Sequence, residues 1–265
     1  MGWISRNDVR MATERLDKTV ALVTGASSGI GEATALALAR AGASVGLVAR
    51  RGARLVDLAA RIAATGSQAL AIEADITDDA GAREAVARVV REFGRLDTLV
   101  NNAGVMLLGA IVDADTSEWA RMIDLNVTAL LQTTHAALPH LLAAAESEPR
   151  RVADVVNVSS VAGRVARSGS GVYNASKWAV NAFSESLRQE VTKRHVRISL
   201  VEPGAVATEL ASHNKPAVRE MMQQRFGNIE RLDAGDIADA VAYVVTRPRH
   251  VAINEMLVRP TEQEG

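Results

Sequence analysis

The chain of 265 residues contains no cysteine, which excludes disulfides, thiolate catalysis and thiolate metal sites. It also lacks an excess of charge, because 30 Lys and Arg residues nearly balance 31 Asp and Glu residues. No surface for nucleic acid or another polyanion is therefore indicated. No apolar run approaches the roughly 20 residues that span a bilayer, and residues 1–18 contain no signal-peptide core. We expect a soluble, cytoplasmic protein without a nucleic-acid or membrane partner.

Length and composition favour one large α/β domain. Hydrophobic residues make up 48% of the chain and charged residues 23%, so a sizeable core is available and no disordered tail is indicated. Residues 1–17 show little periodicity and are predicted to form a flexible arm, unless Met11 is the true start. Residues 18–265 are predicted to form the single domain. The five histidines lack the spacing of metal ligands, so no metal site is predicted.

Strand-like and helix-like segments alternate along this domain. Short apolar runs predict strands over 20–24, 44–49, 69–73, 96–101, 152–158, 196–202 and 255–258. Helical spacing predicts helices over 29–41, 54–64, 79–93 and 117–145, around Tyr173, and from Asp233, where Asp236 would complement the exposed amides. Repeated βαβ units of this kind imply a Rossmann-type, doubly wound parallel sheet of about seven strands. Helices would cover both faces, and ligands would bind at the carboxyl ends of the strands.

The first predicted strand runs into a glycine-rich turn, in which Gly25, Gly29 and Gly31 precede a helix. Glycine lets the backbone turn tightly and lets a pyrophosphate approach the amides at the helix start. The spacing G-x-x-x-G-x-G differs from the common G-x-G-x-x-G, and an ordinary strand-to-helix turn is the alternative. The second strand is followed by Arg50 and Arg51, where an NAD site often has an acid. Two cations favour a 2′-phosphate, and hence NADP(H), although a solvated strand end is the alternative.

Tyr173 and Lys177 form a Tyr-x-x-x-Lys pair, with Ser160 upstream. Residues four apart share one face of a helix, so a phenol and an ammonium can enter one pocket. A cation beside a phenol favours the phenolate and makes the group a usable proton donor or acceptor near neutrality. Such pairs also occur by chance on solvated helices.

Five segments in order resemble those of the short-chain dehydrogenase/reductase family, and the resemblance extends over about residues 18–258. They are T-G-A-S-S-G-I-G at 24–31, N-N-A-G at 101–104, L-N-V at 125–127, the set Ser160, Tyr173 and Lys177, and P-G-A-V-A-T at 203–208. The resemblance implies an oxidoreductase that transfers a hydride between NADP(H) and a small carbonyl or alcohol substrate. The segments 106–109, 180–191 and 258–261 resemble the branch with clavulanic acid dehydrogenase and serine 3-dehydrogenase-type enzymes, so a serine or 3-hydroxy acid dehydrogenase is an alternative.

The same resemblance implies the catalytic roles. Tyr173 would exchange the proton, Ser160 would hydrogen-bond the substrate carbonyl, and Lys177 would lower the Tyr173 pKa and bind the nicotinamide ribose. Asn126 would hold a water that relays protons to Lys177. Ser160 is preferred over Ser159 because it lies thirteen residues before the tyrosine. The alternative is that Ser160 is an inert strand-end hydroxyl and Asn126 a buried amide.

The cofactor residues implied by the resemblance lie on the glycine turn, the strand ends and the P-G-A-V-A-T segment. They are Gly25, Ser27, Ser28, Gly29, Ile30, Gly31, Arg50, Arg51, Asp75, Ile76, Asn102, Ala103, Gly104, Tyr173, Lys177, Pro203, Gly204, Val206 and Thr208. Asp75 would cap the adenine amine. Many NADP-using relatives have a basic residue where this chain has Ser28, so the NADP preference depends on Arg50, aided by Arg51.

The predicted substrate residues are Met106, Ser160, Val161, Tyr173 and Leu210. Residues 209–230 are predicted to form a mobile lid, whose Met221, Met222 and Phe226 either line an apolar pocket or pack within the lid. His213 is the one histidine considered near the site, because it follows the nicotinamide segment.

Assembly and two other functional classes complete the expectations. Consecutive apolar residues at 129–131 and 178–180 lie on more than one helix face, which favours burial against a second copy. Together with the resemblance, which implies a dimer or tetramer, this predicts a homo-oligomer, with packing inside the monomer as the alternative. A catalytically silent NADP-binding sensor is a second class, although it would not need the four catalytic residues. An epimerase or dehydratase of the nucleotide-sugar branch is a third, although no separate substrate domain is evident.

Overall fold

The computed structural model describes residues 15–112 and 114–264. Within these ranges seven strands form one parallel sheet in the order β3-β2-β1-β4-β5-β6-β7. The strands are β1 Val20–Thr24, β2 Ser44–Ala49, β3 Ala69–Glu73, β4 Thr98–Asn101, β5 Ala153–Val158, β6 Val196–Pro203 and β7 Glu255–Val258. The order reverses between the paired strands β1 and β4, where such sheets open a ligand crevice at their carboxyl ends. The predicted Rossmann-type fold is confirmed.

Eight helices of the described residues cover this sheet. They are α1 Gly29–Arg40, α2 Gly52–Ala63, α3 Asp79–Phe93, α4 Thr116–Ile123, α5 Ala129–Ala145, α6 Gly171–Val191, α7 Pro216–Phe226 and α8 Ala234–Val245. One buried cluster packs α3, α5 and α6 on one sheet face, and a second packs α1, α2 and α8 on the other. Strands β1, β4, β5 and β6 are buried along their whole length because both faces are covered.

Local signals explain where two of these helices begin. Asp78 accepts a hydrogen bond from the Gly81 amide at the start of α3. At the start of α8, Asp233 and Asp236 cap each other's backbone amides, as the sequence predicts. Apart from the helix predicted over 117–145, the predicted boundaries differ from the observed ones by no more than two residues.

The single helix predicted over residues 117–145 is interrupted. A π turn, Asp124–Thr128, separates α4 from α5 and contains Asn126. The Asn126 side chain bonds to the backbone of Val105, which lies outside the helix. Since helical periodicity records no such contact, the sequence pattern cannot distinguish a π turn from ordinary helix.

The predicted lid contains regular structure. Residues Glu209–His213 form a 3₁₀ turn, and α7 follows it. No helix was predicted there, although Pro216 at the first helical position is a recognised start signal. The mobility of this segment stays a prediction.

Two other predictions concern the surface of the domain. Residues 1–14 of the predicted arm lie outside the described residues, whereas Leu16 is fully buried and its amide donates to the Ala41 carbonyl at 2.8 Å. Among the apolar residues that suggested an oligomer, Leu130 and Val180 are buried within the monomer, and Trp178 is 50% exposed. The oligomer stays a prediction.

Candidate active site

A cavity of about 1130 Å³ opens at the carboxyl ends of the strands. The glycine turn, the ends of β2 and β3, the N-N-A-G segment, α6 and the segment after β6 all line it. Every predicted cofactor or substrate residue lines this cavity except Gly31, and every predicted catalytic residue except Asn126. Segments far apart in sequence thus meet around one space.

The glycine turn is shaped by close contacts between backbone segments. Gly25 has a φ of 66°, and a Cβ on it would lie 2.8 Å from Ala103 Cα. A Cβ on Gly31 would meet the carbonyl oxygen of Gly25. Gly31 does not line the cavity, and its missing Cβ instead lets the turn pack closely against the start of α1. The amides at the start of α1 are therefore open to a bound pyrophosphate.

Thr24 joins this turn to the N-N-A-G segment. Its hydroxyl oxygen accepts hydrogen bonds from the amides of Asn102 at 3.0 Å and Ala103 at 3.1 Å. The Asn102 side chain donates to the Thr24 carbonyl at 3.0 Å. One buried layer behind, Asn101 Nδ2 donates to Asn157 Oδ1 at 2.9 Å and ties β4 to β5. These bonds fix the crevice between β1 and β4.

The adenine side of the cavity offers one carboxylate and one exposed cation. Asp75 Oδ1 accepts from the hydroxyl and amide of Thr77, which lower the Asp75 pKa. Arg50 lies 3.9 Å from Asp75 Oδ2, and its side chain is 65% exposed. Because no closer ion pair of Arg50 exists among the described residues, its guanidinium suits an added phosphate.

Arg51 is held differently from Arg50. Its Nε donates to Ser27 Oγ at 3.0 Å and its Nη2 to Ser28 Oγ at 2.6 Å, while Nη1 pairs with Glu209 at 2.8 Å. A cation from the end of β2 therefore lies against the glycine turn at the point where the sequence has Ser28 instead of a basic residue. These residues fit a 2′-phosphorylated dinucleotide.

The segment after β6 is fixed from both sides. The Gly204 amide donates to the Val258 carbonyl, and Val206 pairs with Leu232. The Ala205 amide donates to Gln263 Oε1 at 2.8 Å. Gln263 was not singled out from the sequence, because a glutamine near the carboxyl end carries no local signal for this contact.

Tyr173 and Lys177 lie one turn apart on α6, and each is only 7% exposed. Lys177 Nζ lies 6.0 Å from the centre of the Tyr173 ring and donates to the Val158 carbonyl at 2.9 Å. Burial lowers the pKa of Lys177 to about 8. Burial raises the pKa of Tyr173, and a hydrogen bond with Ser160 opposes it. Desolvation of the phenolate therefore dominates in this structure, and the lowering expected from Lys177 stays a prediction.

The two adjacent serines separate into different roles. Ser160 lies close enough to Tyr173 to lower the tyrosine pKa, and its Oγ accepts from the Ala162 amide at 3.1 Å at the start of a short 3₁₀ turn. Ser159 Oγ instead donates to Asn181 Oδ1 at 2.6 Å. The geometry therefore supports the preference for Ser160 over Ser159.

The Asn126 side chain is fully engaged away from the cavity. Its Oδ1 accepts from the Val105 amide at 2.8 Å, and its Nδ2 donates to the Val105 carbonyl at 2.9 Å and to Ser176 Oγ at 3.1 Å. The alternative of a buried amide with backbone partners thus describes this side chain. Asn126 positions the segment after Gly104, and the predicted water relay draws no support from its side chain.

Two asparagines of α6 hold the loop that follows Ser160, and neither was singled out from the sequence. Asn174 Nδ2 donates to the carbonyls of Ala162 and Val165 at 2.7 and 2.8 Å. Asn181 Nδ2 donates to the Gly163 carbonyl of the loop at 3.2 Å and to buried Glu202 on β6 at 2.9 Å. Only the position of Asn174 next to Tyr173 hinted at its contact with this loop.

The substrate side lies between this loop and the predicted lid. Asn214 accepts from the Leu108 amide at 2.7 Å and donates to the Met106 carbonyl at 2.9 Å, so the lid is tied to the segment after β4. Met221, Met222 and Phe226 all line the cavity, which favours the apolar pocket over packing within the lid. Burial, together with nearby Arg121 and Arg51, lowers the pKa of His213.

Two kinds of feature are absent from residues 15–112 and 114–264. No group of three or more His, Asp or Glu side chains is placed to hold a metal ion. No helix is both long and apolar enough to cross a membrane.

Comparisons with known proteins agree with this geometry. The sequence model of the short chain dehydrogenase family matches residues 19–219. An uncharacterized oxidoreductase of Staphylococcus epidermidis is 35% identical over 246 residues, which cover 93% of this chain and 99% of that protein. Glycine betaine reductase ATRR of Emericella nidulans is 36% identical over 99% of this chain, but the match spans only 21% of its own length. The solved closed form of serine dehydrogenase complexed with NADP+ is 30% identical, with a TM-score of 0.84 over 93% of this chain and 97% of that one. The chain therefore belongs to the short-chain dehydrogenase/reductase family of oxidoreductases.

Proposed function

We propose that this protein is an NADP(H)-dependent oxidoreductase that reduces an aldehyde or ketone, or oxidises the corresponding alcohol, with Tyr173 as the acid and base. The observation that carries the proposal is the set on the cavity wall: buried Tyr173 and Lys177 one turn apart on α6, with Ser160 close enough to the phenol to lower its pKa. The bound cofactor would supply the hydride. Arg50, Arg51, Asp75 and the glycine turn would hold its adenosine end.

The residues of the chain would handle the proton. A raised pKa keeps Tyr173 protonated at neutral pH, so its hydroxyl can donate to a carbonyl oxygen as negative charge develops there. Once a substrate is bound, Ser160 can turn its single hydroxyl proton from the tyrosine to the same carbonyl oxygen. Lys177, with a pKa of about 8, changes protonation near physiological pH and can exchange protons with the tyrosine through the polar lining.

Replacement of the tyrosine hydroxyl tests this assignment. Purified protein is mixed with NADPH and a panel of aldehydes and ketones, and turnover is followed by NADPH absorbance. Tyr173→Phe should lower kcat by at least about 100-fold while NADPH affinity, followed by fluorescence, stays within about twofold. Tyr243→Phe is the matched control, because Tyr243 lies on α8 with 39% exposure. Full turnover by Tyr173→Phe would contradict its role, and NADPH binding without turnover of any substrate would indicate the silent sensor.

A narrower candidate is the oxidation of a small 3-hydroxy acid, such as serine. The likeness to serine dehydrogenase supports it. So does Arg167, which lines the cavity without an acidic partner among the described residues and is suited to a carboxylate. Hydroxy acids should then be oxidised with NADP+ at least about tenfold faster than their methyl esters at subsaturating concentration, since a charge-assisted bond contributes about 1.5–3 kcal/mol. Equal rates would remove this candidate and leave the broader proposal intact.

A further inference from the structure

Glu209 joins the predicted lid to the arginines at the end of β2. Its Oε2 accepts from Arg51 Nη1 at 2.8 Å, and its Oε1 accepts from Arg54 Nη1 at 2.8 Å. Arg51 and Glu209 lie 158 residues apart in the chain, so this pair is purely a product of the fold. The two arginines lower the pKa of Glu209 to about 2, so its side chain is a carboxylate throughout the working range of the protein.

This carboxylate lies at the place where a 2′-phosphate would be recognised. Arg51 follows the end of the second strand, β2. Its guanidinium also donates hydrogen bonds to Ser27 and Ser28 of the glycine turn. In folds of this kind that strand end contacts the ribose 2′ position, as an acid in NAD sites and as an arginine in NADP sites. Glu209 therefore pairs with one of the two arginines that a 2′-phosphate would use, the other being Arg50.

We propose that Glu209 is an internal competitor of the cofactor's 2′-phosphate for Arg51, and so sets how strongly the protein prefers NADP(H) over NAD(H). The inference rests on the proposed use of a nicotinamide dinucleotide. A dianionic phosphate with three acceptor oxygens is the stronger partner for a guanidinium, whereas a ligand without the 2′-phosphate leaves the Arg51 and Glu209 pair intact. Glu209 therefore competes only with a cofactor that carries the 2′-phosphate.

The surrounding contacts allow the exchange to occur through side chains alone. Thr208 Oγ1 accepts from the Leu210 amide, and Asn214 ties the far end of the turn to Met106 and Leu108. The backbone around Glu209 is thus held on both sides. Arg54 keeps the second carboxylate oxygen, so Glu209 can remain on Arg54 while Arg51 turns to a phosphate.

The size of the effect follows from the exposure of the pair. The side chains of Arg51 and Glu209 are 45% and 46% exposed, and exposed ion pairs change equilibria by only about two- to fivefold. Glu209→Gln also removes a charge that repels the phosphate. We therefore expect about three- to tenfold tighter binding of a 2′-phosphate, and less than a twofold change for a ligand that lacks it.

Isothermal titration with 2′,5′-ADP and 5′-ADP tests the proposal without turnover. Glu209→Gln should tighten 2′,5′-ADP and leave 5′-ADP unchanged. The matched control is Glu84→Gln, which removes an exposed glutamate paired with Arg91 on α3, away from the cavity, and should alter neither ligand. In an Arg51→Gln background, Glu209→Gln should lose at least half of its effect. Unchanged or weaker 2′,5′-ADP binding by Glu209→Gln would overturn the competition.

The same titration separates this inference from the proposed cofactor preference. If the wild-type protein binds 5′-ADP as tightly as 2′,5′-ADP, the NADP preference is wrong. A gain for 2′,5′-ADP alone in Glu209→Gln would then still support competition by Glu209. If the wild-type protein prefers 2′,5′-ADP but Glu209→Gln tightens both ligands equally, the preference stands and the competition falls.

Discussion

Lys177→Met should stabilise the fold at neutral pH while abolishing turnover. Lys177 is buried, and burial lowers its pKa from an ordinary 10.5 to about 8. That difference corresponds to about 3 kcal/mol of cost for holding the ammonium in the folded state. The variant removes this cost but leaves the Val158 carbonyl without its donor, which costs about 1–3 kcal/mol. The net gain at pH 7 should therefore be at most about 2 kcal/mol.

The pH dependence isolates the titration from the lost hydrogen bond. Between pH 8 and 10.5 the unfolded chain still holds the Lys177 proton that the folded chain has released. Stability rises with pH wherever the unfolded state binds more protons, so Lys177 should add about 3 kcal/mol to the stability of the wild-type protein across this window. The variant has no such group. Its stability relative to wild type should therefore fall by about 3 kcal/mol between pH 8 and 10.5.

Urea unfolding followed by circular dichroism, at fixed ionic strength and protein concentration, measures this difference. Lys193→Met controls for the loss of one positive charge, because Lys193 is exposed on the 3₁₀ turn after α6. A difference between Lys177→Met and wild type that stays constant over the window would refute the reasoning. So would an equal change in the control.

Three other outcomes follow from the site and its surface. In fluorescence titrations Arg50→Ala should weaken NADPH binding by about tenfold or more, because a charge-assisted contact of about 1.5–3 kcal/mol is lost, and NADH binding by less than twofold. Equal losses would contradict a role of Arg50 in recognising the 2′-phosphate. Gly31→Ala forces a Cβ against the Gly25 carbonyl and should cost about 1–3 kcal/mol in urea unfolding, whereas Gly235→Ala, with open space around it, should cost little. If α5 and α6 pair between copies, with half-exposed Trp178 at the contact, size-exclusion chromatography with light scattering should give a multiple of 28.1 kDa. An active monomer at micromolar concentration would contradict the oligomer.

Elements fixed by local signals could be predicted closely from the sequence. Strand β1, the glycine turn and α1 follow one another as an apolar run, three glycines and a helical pattern, and each signal acts over a few residues. Ser160, Tyr173 and Lys177 were likewise found from spacing and resemblance, and the fold brings them together. What spacing could not supply is the degree of burial, and burial decides the direction of the Tyr173 pKa.

Contacts between distant segments could not be predicted from the sequence, because the residue type at one position does not record which distant residue it contacts in the fold. In the π turn, the Asn126 side chain hydrogen-bonds to the backbone amide and carbonyl of Val105. The sequence of residues 124–128 nevertheless predicts ordinary helix. The α7 helix was missed for another reason, since its polar residues give no apolar stripe and only Pro216 marks its start.

Arg51 shows how the fold can supply a positive charge that a sequence motif lacks. A motif compares residue types at fixed positions, and by that measure Ser28 removes a cation from the glycine turn. In the structure the Ser28 hydroxyl accepts a hydrogen bond from Arg51, so the positive charge returns to the same place from the end of β2. Glu209, which belongs to a third segment, forms an ion pair with the same guanidinium. We therefore expect cofactor preference to depend on these three segments around Arg51 as well as on Arg50, which lines the same cavity.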